Sequence, residues 1–170
     1  MIATGTMRNR KRLATLCTLG IVLALGLSAC TFLFSNPPVP TLILGEVIAL
    51  GGCGELLLSV TNMPDGGMAS ISIVVGGIAY DAAKIANLTA VGLQGFEVLA
   101  EQFVGGNGGL SAAHSCAGLP AGKFVLLRFD ATGDVTLTDF TFDKTKIALG
   151  DDDNQAITFD LTTAVDYYTD

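Results

Sequence analysis

Alternation of apolar and polar side chains is the feature that most constrains the fold of this chain. From Thr41 onward, several short segments carry an apolar residue at every second position, which places these residues on one face of an extended strand. A strand with one apolar face needs a second layer to cover it, so the pattern predicts an all-β sandwich. The predicted inward positions are Leu56, Leu58 and Val60; Ile71, Ile73 and Val75; Val125, Leu127 and Phe129; and Ile157, Phe159 and Leu161.

Glycine-rich and proline-rich turns separate these segments, and they lie at 64–67, 76–77, 105–109, 120–122 and 132–134. We therefore predict eight or nine short strands around one core, with a single helical turn near 81–84 that Asp81 caps. In 135–142 the apolar side shifts between Leu137 and Phe140, and a bulge or a strand that crosses between sheets would explain the shift.

The N-terminal segment has the layout of an export signal. Arg8, Arg10, Lys11 and Arg12 precede an uncharged apolar run over 13–29. The run ends in Leu27-Ser28-Ala29-Cys30, which resembles the lipobox of bacterial lipoproteins, L-[AS]-[AG]-C. This resemblance implies a signal peptide over 1–29 and acyl chains, palmitate among them, on Cys30. Such chains would hold the exported protein on the lipid bilayer, at the outer membrane or the outer face of the plasma membrane. An uncleaved transmembrane helix is the alternative.

A proline-rich stretch follows the lipidation site. Pro37, Pro38 and Pro40 favour an extended spacer, so residues 30–40 are expected to form the lipidated N-terminus and a linker. The remaining residues, 41–170, are expected to form the β-sandwich domain.

The distribution of charge excludes nucleic acid as a partner. The formal net charge is −7, and all sixteen acidic residues lie from Glu46 onward. An acidic body repels the phosphate backbone.

Cys53 and Cys116 are the two cysteines of the body. Export permits a disulfide between them, and two free thiols are the alternative.

The order of short motifs in the body resembles that of cohesin domains. The segment Met68-Ala69-Ser70-Ile71-Ser72-Ile73 is similar to the family's g-i-a-s-f-x-f strand. Tyr80-Asp81-Ala82-Ala83-Lys84-Ile85 resembles its Y-D-P-x-x-L motif, with Ala82 in place of proline, and 122–129 resembles its G-x-l-x-x-i-x-F strand. The resemblance spans about residues 41–165. It implies a nine-stranded jelly-roll sandwich, related to cellulose-binding modules, which binds a dockerin-like protein without catalysis.

No set of residues predicts catalysis. His114 is the only histidine, and Ser115 beside it would point to the opposite face of a strand. A G-x-S-x-G nucleophile motif is absent from the sequence. We therefore expect no enzymatic activity and no catalytic residue.

An acidic stretch, Gly150-Asp151-Asp152-Asp153-Asn154, suggests calcium as the one cofactor to consider. Asp151 and Asp153 are the best-placed pair of ligands, and a solvated acidic turn is the alternative.

Two candidate binding surfaces remain. A polysaccharide platform of flat rings is not expected, because the chain has no Trp and the adjacent Tyr167 and Tyr168 would face opposite ways on a strand. Recognition of a sugar by hydrogen bonds stays open. Phe124 and Leu126, at the outward positions of their strand, would contact a protein partner unless both faces of that strand are buried.

The sequence as a whole predicts an exported lipoprotein with a cohesin-like, non-catalytic binding domain for a protein partner. A carbohydrate-binding module and a structural envelope component with calcium are the alternatives.

Overall fold

The computed structural model describes residues 38–115 and 118–164. The described part from Val39 onward forms one compact unit with eleven strands and two 3₁₀ turns, Leu137–Asp139 and Lys144–Lys146. The strands are β1 (Thr41–Leu50), β2 (Cys53–Thr61), β3 (Ser70–Tyr80), β4 (Ile85–Gly92), β5 (Phe96–Val104), β6 (Asn107–His114), β7 (Gly122–Ala131), β8 (Phe140–Phe142), β9 (Ile147–Gly150), β10 (Ala156–Ile157) and β11 (Asp160–Thr163).

The strands form two sheets. Sheet I has the order β11-β1-β2-β7-β4, and sheet II has the order β10-β9-β3-β6-β5, with β8 also pairing with β3. Neighbouring strands are antiparallel, except that β1 and β11 run parallel. The predicted all-β sandwich is confirmed.

The alternation in sequence accounts for the core between the sheets. Leu56 and Leu58 of β2 are fully buried, and Ile71 and Ile73 of β3 are almost so. Burial of each such side chain stabilises the fold by about 1.5–3 kcal/mol. Other members of the same core cluster are Leu42, Leu44, Val60, Met68, Ile78, Ile85, Leu88, Phe96, Leu110, Ala112, Phe124, Val125, Leu127, Phe129, Val135, Phe140, Ile147, Leu149, Ile157 and Phe159.

The structure divides some strands that the sequence pattern predicts as continuous. The predicted strand around Ile157–Leu161 is two strands, because β10 belongs to sheet II and β11 to sheet I. One side of β3 pairs with β9 at its start and with β8 at its end, and the 3₁₀ turn Lys144–Lys146 lies between them. The described residues therefore contain eleven strands rather than eight or nine.

The shift of apolar side in 135–142 comes from the 3₁₀ turn Leu137–Asp139, which leads the chain from β7 in sheet I to β8 in sheet II. Lys84 Nζ donates a hydrogen bond to Asp139 Oδ1 over 2.7 Å and ties this turn to the β3–β4 connection. The hydrogen bond to Lys84 lowers the pKa of Asp139, and the same bond raises the pKa of Lys84.

The β3–β4 connection is the predicted turn at 81–84. Asp81 Oδ1 accepts a hydrogen bond from the Ala83 N–H, and the Asp81 carbonyl accepts from the Lys84 and Ile85 N–H groups. The capping role predicted for Asp81 is confirmed.

Two edge strands, β4 of sheet I and β5 of sheet II, lie on the same side of the sandwich. Here the Ala90 N–H of β4 donates a hydrogen bond to Glu101 Oε2 of β5 over 2.5 Å. The carboxylate thus joins the two edges.

Candidate functional site

The outer face of sheet II is built from small side chains. Ser72 of β3 pairs with Ser111 of β6 and with Ala148 of β9, and Ser70 pairs with Ala113 of β6. On the edge strand β5, Ala100 pairs with Ser111 and extends the same face. We call this surface the small-residue face; its members are Ser70, Ser72, Ala100, Ser111, Ala113, Ala148 and Ala156.

The alternation in β3 is broken by an excursion at its centre. Between Ile73 and Ile78 the register with β6 shifts, because five steps along β3 match two steps along β6. Val74 and Val75 are consequently each 55% exposed, so the predicted inward position of Val75 is wrong. The turn predicted at 76–77 to separate two strands is wrong, because Gly76 and Gly77 lie within β3. Gly76 has φ +84, a conformation that favours glycine.

The excursion is held by the strand connection beside it. Lys146 Nζ donates a hydrogen bond to the Gly76 carbonyl over 3.2 Å, and the Asp143 N–H donates to the Gly77 carbonyl over 2.9 Å. Gly109 of β6 permits this packing, since a Cβ at that position would collide with the backbone of Val74 and Val75. The two valines are therefore displayed from a fixed backbone.

Two shallow, open depressions of about 380 Å³ each lie on the small-residue face and share Ser72 and Ser111. Val74 and Val75 border one of them, and Leu99, which is 66% exposed, borders the other. Glu101 is the one charged side chain among the described residues that line them. The surface can therefore be dehydrated by a partner without burying many charges.

The outward position predicted for Phe124 is wrong. Its side chain is fully buried and its ring packs against Phe96, with 5.6 Å between ring centroids. The register of β2 with β7 shifts between Leu58 and Ser59, and this bulge turns Phe124 inward together with Val125. Leu126 lies half-buried on the outer face of sheet I, beside Leu57, and not on the small-residue face.

The acidic stretch forms a turn in which Asp151 binds the backbone. Asp151 Oδ1 accepts hydrogen bonds from the N–H groups of Asp153, over 3.0 Å, and Gln155, over 2.7 Å. In the part of the chain that the structure describes, no three acidic, histidine or cysteine side chains are grouped as metal ligands. Calcium binding by Asp151 and Asp153 stays a prediction.

His114 lies at the end of β6, where its Nε2 is 2.9 Å from the Gln94 carbonyl and its ring packs edge-on against Phe96. These contacts give the ring a structural role in fixing the β4–β5 turn.

The structure describes only one of the two cysteines of the body. The Cys53 thiol is exposed at the start of β2, and Cys116 lies outside the described residues. Leu119, close to Cys116 in sequence, forms a bridge with Met68, and the Pro120 carbonyl accepts a hydrogen bond from the Met63 N–H. These contacts are at the end of the sandwich opposite Cys53. The disulfide and its alternative, two free thiols, both stay untested.

The leader, Cys30, Tyr167 and Tyr168 also lie outside the described residues. Within the described ranges, no helix has the length and apolar character needed to span a bilayer.

This chain is similar to known proteins in its fold. No family model and no curated protein matches the chain. The sixth cohesin of scaffoldin B from Acetivibrio cellulolyticus, solved in complex with a mutant Cel5 dockerin, superposes with a TM-score of 0.57 at 13% identity. The match covers 74% of this chain and 95% of that one. The described domain has a cohesin-like fold. A second structure, the seventh ScaB type I cohesin from Pseudobacteroides cellulosolvens, agrees, with a TM-score of 0.55, 12% identity, and coverage of 74% of this chain and 88% of that one.

The cohesin-like fold confirms the resemblance that the motif order indicated, although the residues of the small-residue face were not singled out from the sequence. Ser70 and Ser72 are visible there as the polar partners of Ile71 and Ile73. Their neighbours Ser111 and Ala148 come 39 and 76 residues after Ser72 in the sequence, and only the strand order of sheet II brings them together.

Proposed function

We propose that this chain is an exported, membrane-anchored, non-catalytic binding protein, and that the small-residue face binds a protein partner. One observation carries the proposal: four neighbouring strands, β9, β3, β6 and β5, present small and mostly uncharged side chains to solvent, bordered by exposed aliphatic ones.

Small side chains allow close approach of a partner. Where the face carries only serine and alanine, a helix or strand can reach the sheet without moving long side chains, so little conformational entropy is lost. Val74, Val75 and Leu99 then supply apolar area, at about 25 cal/mol per Å² buried. The near absence of charge from the described lining residues keeps the cost of dehydration low.

A protein with dockerin-like chemistry is the partner that we propose. The Acetivibrio cellulolyticus cohesin of similar fold was solved bound to a dockerin, and this analogy of fold supports the same class of partner here. The large hydrophobic side chains that are exposed in the described residues are all aliphatic. Sugar rings stack on flat aromatic rings, so this composition favours a protein over a polysaccharide on this face.

The anchor that we propose is the acylated Cys30, on the strength of the lipobox at 27–30 and the basic, apolar leader before it. The proline-rich linker would then join the lipid to β1.

The binding face can be tested with one surface substitution on each sheet. The full lipidated chain is cross-linked in cells, the recovered partner is purified, and its affinity is measured for wild type, Ser72→Arg and Thr89→Arg. Ser72 lies at the centre of the small-residue face, whereas Thr89 is exposed on sheet I. We expect Ser72→Arg to weaken binding at least tenfold, since an arginine would hold the partner off the sheet, and Thr89→Arg to bind as wild type.

Equal affinity of the two variants, or failure of the wild type to retain any protein saturably, would contradict the proposal. Thermal unfolding of each variant shows whether the fold is retained.

A further inference from the structure

A polar depression of about 350 Å³ lies on the outer face of sheet I, on the other side of the sandwich from the small-residue face. Three strands line it, with residues from β2, β4 and β7. Its polar side chains are those of Glu55, Asn87, Thr89, Arg128 and Asp130.

Two hydrogen-bonded pairs organise these side chains. Arg128 Nε donates to Glu55 Oε1 over 3.0 Å, and Asn87 Nδ2 donates to Asp130 Oδ2 over 2.7 Å. Each contact occupies one polar atom of each side chain. The terminal nitrogens of Arg128 and the amide oxygen of Asn87 thus have no partner among the described residues. Arg128 is 57% exposed and Glu55 46%, so the remaining groups are accessible.

A bulge in β4 places Asn87 in the depression. The register of β4 with β7 shifts between Ala86 and Thr89, and Asn87 has φ +51. A residue in this left-handed conformation departs from the regular ladder, and asparagine tolerates it better than most residues. Because the bulge breaks the regular alternation of β4, the Asn87 amide reaches Asp130.

The mixture of donors and acceptors selects the class of ligand. Two carboxylates against one guanidinium oppose an anion. Asp130 is the one carboxylate of the depression without a cationic partner, and a single carboxylate is not the cluster of oxygen ligands that a metal cation needs. Hydroxyl groups on neighbouring carbon atoms both donate and accept hydrogen bonds. They therefore match a planar donor, such as a guanidinium, that lies beside a planar acceptor, such as a carboxylate. Along the same strands, Leu57, Leu126 and Val91 form an adjacent half-buried apolar row that suits the C–H face of a sugar ring.

From this arrangement we propose that the depression binds a neutral oligosaccharide. The site recognises hydroxyl groups by hydrogen bonds and needs no aromatic platform. It is independent of the protein-binding face, because the two lie on opposite sheets, and a single domain can occupy both.

Saturation-transfer-difference NMR on the full lipidated chain in detergent tests the proposal, because it detects ligands with a Kd of the order of 1 mM. The probes are cellotetraose and N-acetylchitotetraose, with tetragalacturonate as the charged control. We expect transfer to at least one of the neutral tetrasaccharides and none to tetragalacturonate. Absence of transfer to both neutral probes would overturn the proposal.

Two conservative variants assign the signal to the depression. Asn87→Gly removes the amide but retains the backbone conformation, and Arg128→Lys keeps the charge but removes the planar fork. Each is expected to weaken the binding about tenfold, as the loss of one hydrogen bond to a charged or planar group does. Ser72→Arg, on the opposite sheet, is expected to leave it unchanged. Binding that neither depression variant alters would place the sugar elsewhere and refute the assignment.

Discussion

The ring of Phe129 lies over Gly54, its neighbour across the β2–β7 pair. Both positions face the core, Phe129 is 3% exposed, and a Cβ on residue 54 would overlap the ring. Position 54 is therefore restricted to glycine, because any larger residue would collide with the Phe129 ring. We expect Gly54→Ala to lower the free energy of unfolding by about 1–3 kcal/mol, since the added methyl group overpacks the core.

Urea unfolding measures this difference, with Cys53→Ala as the neighbouring control on the exposed face, where a change within about 0.5 kcal/mol is expected. Combining Gly54→Ala with Phe129→Leu should cost less than the sum of the two single changes. Additive effects would show that the ring does not meet residue 54.

Acid should weaken the contact between Lys84 and Asp139. The hydrogen bond from Lys84 lowers the pKa of Asp139 in the folded protein, so the stabilisation is present above the pKa of the unfolded chain. It is lost as the pH falls through the lower folded value, below about pH 4. We expect Asp139→Asn to lower the Tm near neutral pH, and the difference from wild type to shrink in acid.

The exposed pair Lys144–Asp160 supplies the matched control, because its side chains are 47% and 65% exposed. Asp160→Asn should change the Tm little at any pH. A Tm difference for Asp139→Asn that is constant with pH would count against the role of its ionised carboxylate.

The acidic turn at Asp151 distinguishes a structural role from calcium binding. Because Asp151 Oδ1 accepts two backbone hydrogen bonds, Asp151→Ala should destabilise the fold by about 1–2 kcal/mol with or without the ion. Asp153→Ala, which keeps those bonds, should have a smaller effect. A rise in Tm on adding calcium, reversed by a chelator and lost in both variants, would instead support the metal site.

We expect the cysteines of the body to remain thiols, because Leu119 and Pro120, which follow Cys116 closely in sequence, lie at the end of β2 opposite Cys53. Cys53 pairs with Asp130, and Val60, at the other end of the strand, pairs with Gly122. These ends are roughly 23 Å apart at 3.3 Å per residue, and a disulfide needs Cα atoms about 4–7 Å apart. Alkylation without reductant, followed by mass spectrometry, should therefore modify both Cys53 and Cys116. Protection of both until a reductant is added would establish the bridge.

Lipidation of Cys30 should control where the protein resides. In bacteria fed an alkynyl fatty acid, wild type should be labelled and enter the detergent phase. Cys30→Ala should be unlabelled and migrate as the uncleaved precursor, because the processing protease requires the modified cysteine. Cys53→Ala controls for labelling of an exposed thiol. Unchanged labelling of Cys30→Ala would remove the proposed anchor.

The sequence predicts the architecture well where strands alternate without interruption. Leu56, Leu58 and Val60 are inward as predicted, because β2 keeps one phase over these residues. The Asp81 turn follows from a local hydrogen bond between an aspartate and the backbone just after it, which short-range sequence reveals.

The sequence fails where a bulge changes the phase. Val75 is exposed and Phe124 is buried, each opposite to its predicted side, because each lies at a bulge, where added residues leave the regular alternation. Bulges arise from pairing with a neighbouring strand, which the sequence does not show. Beside Val75, the pair Gly76-Gly77 predicts a turn between strands rather than a bulge within one. For the same reason the depression around Asn87, which depends on the shift between β4 and β7, was not predicted.

The contact of Glu101 with Ala90 affects whether neighbouring copies of this domain could pair through their strand edges. A protein held by the anchor that we propose would meet its own copies at high density in two dimensions, and an open strand edge would let one copy extend the sheet of the next. At this side of the sandwich a carboxylate occupies an edge amide, and the bulge at Leu99 interrupts the other edge. These two edges are therefore poor templates for the sheet of a neighbouring copy, however closely the copies are packed.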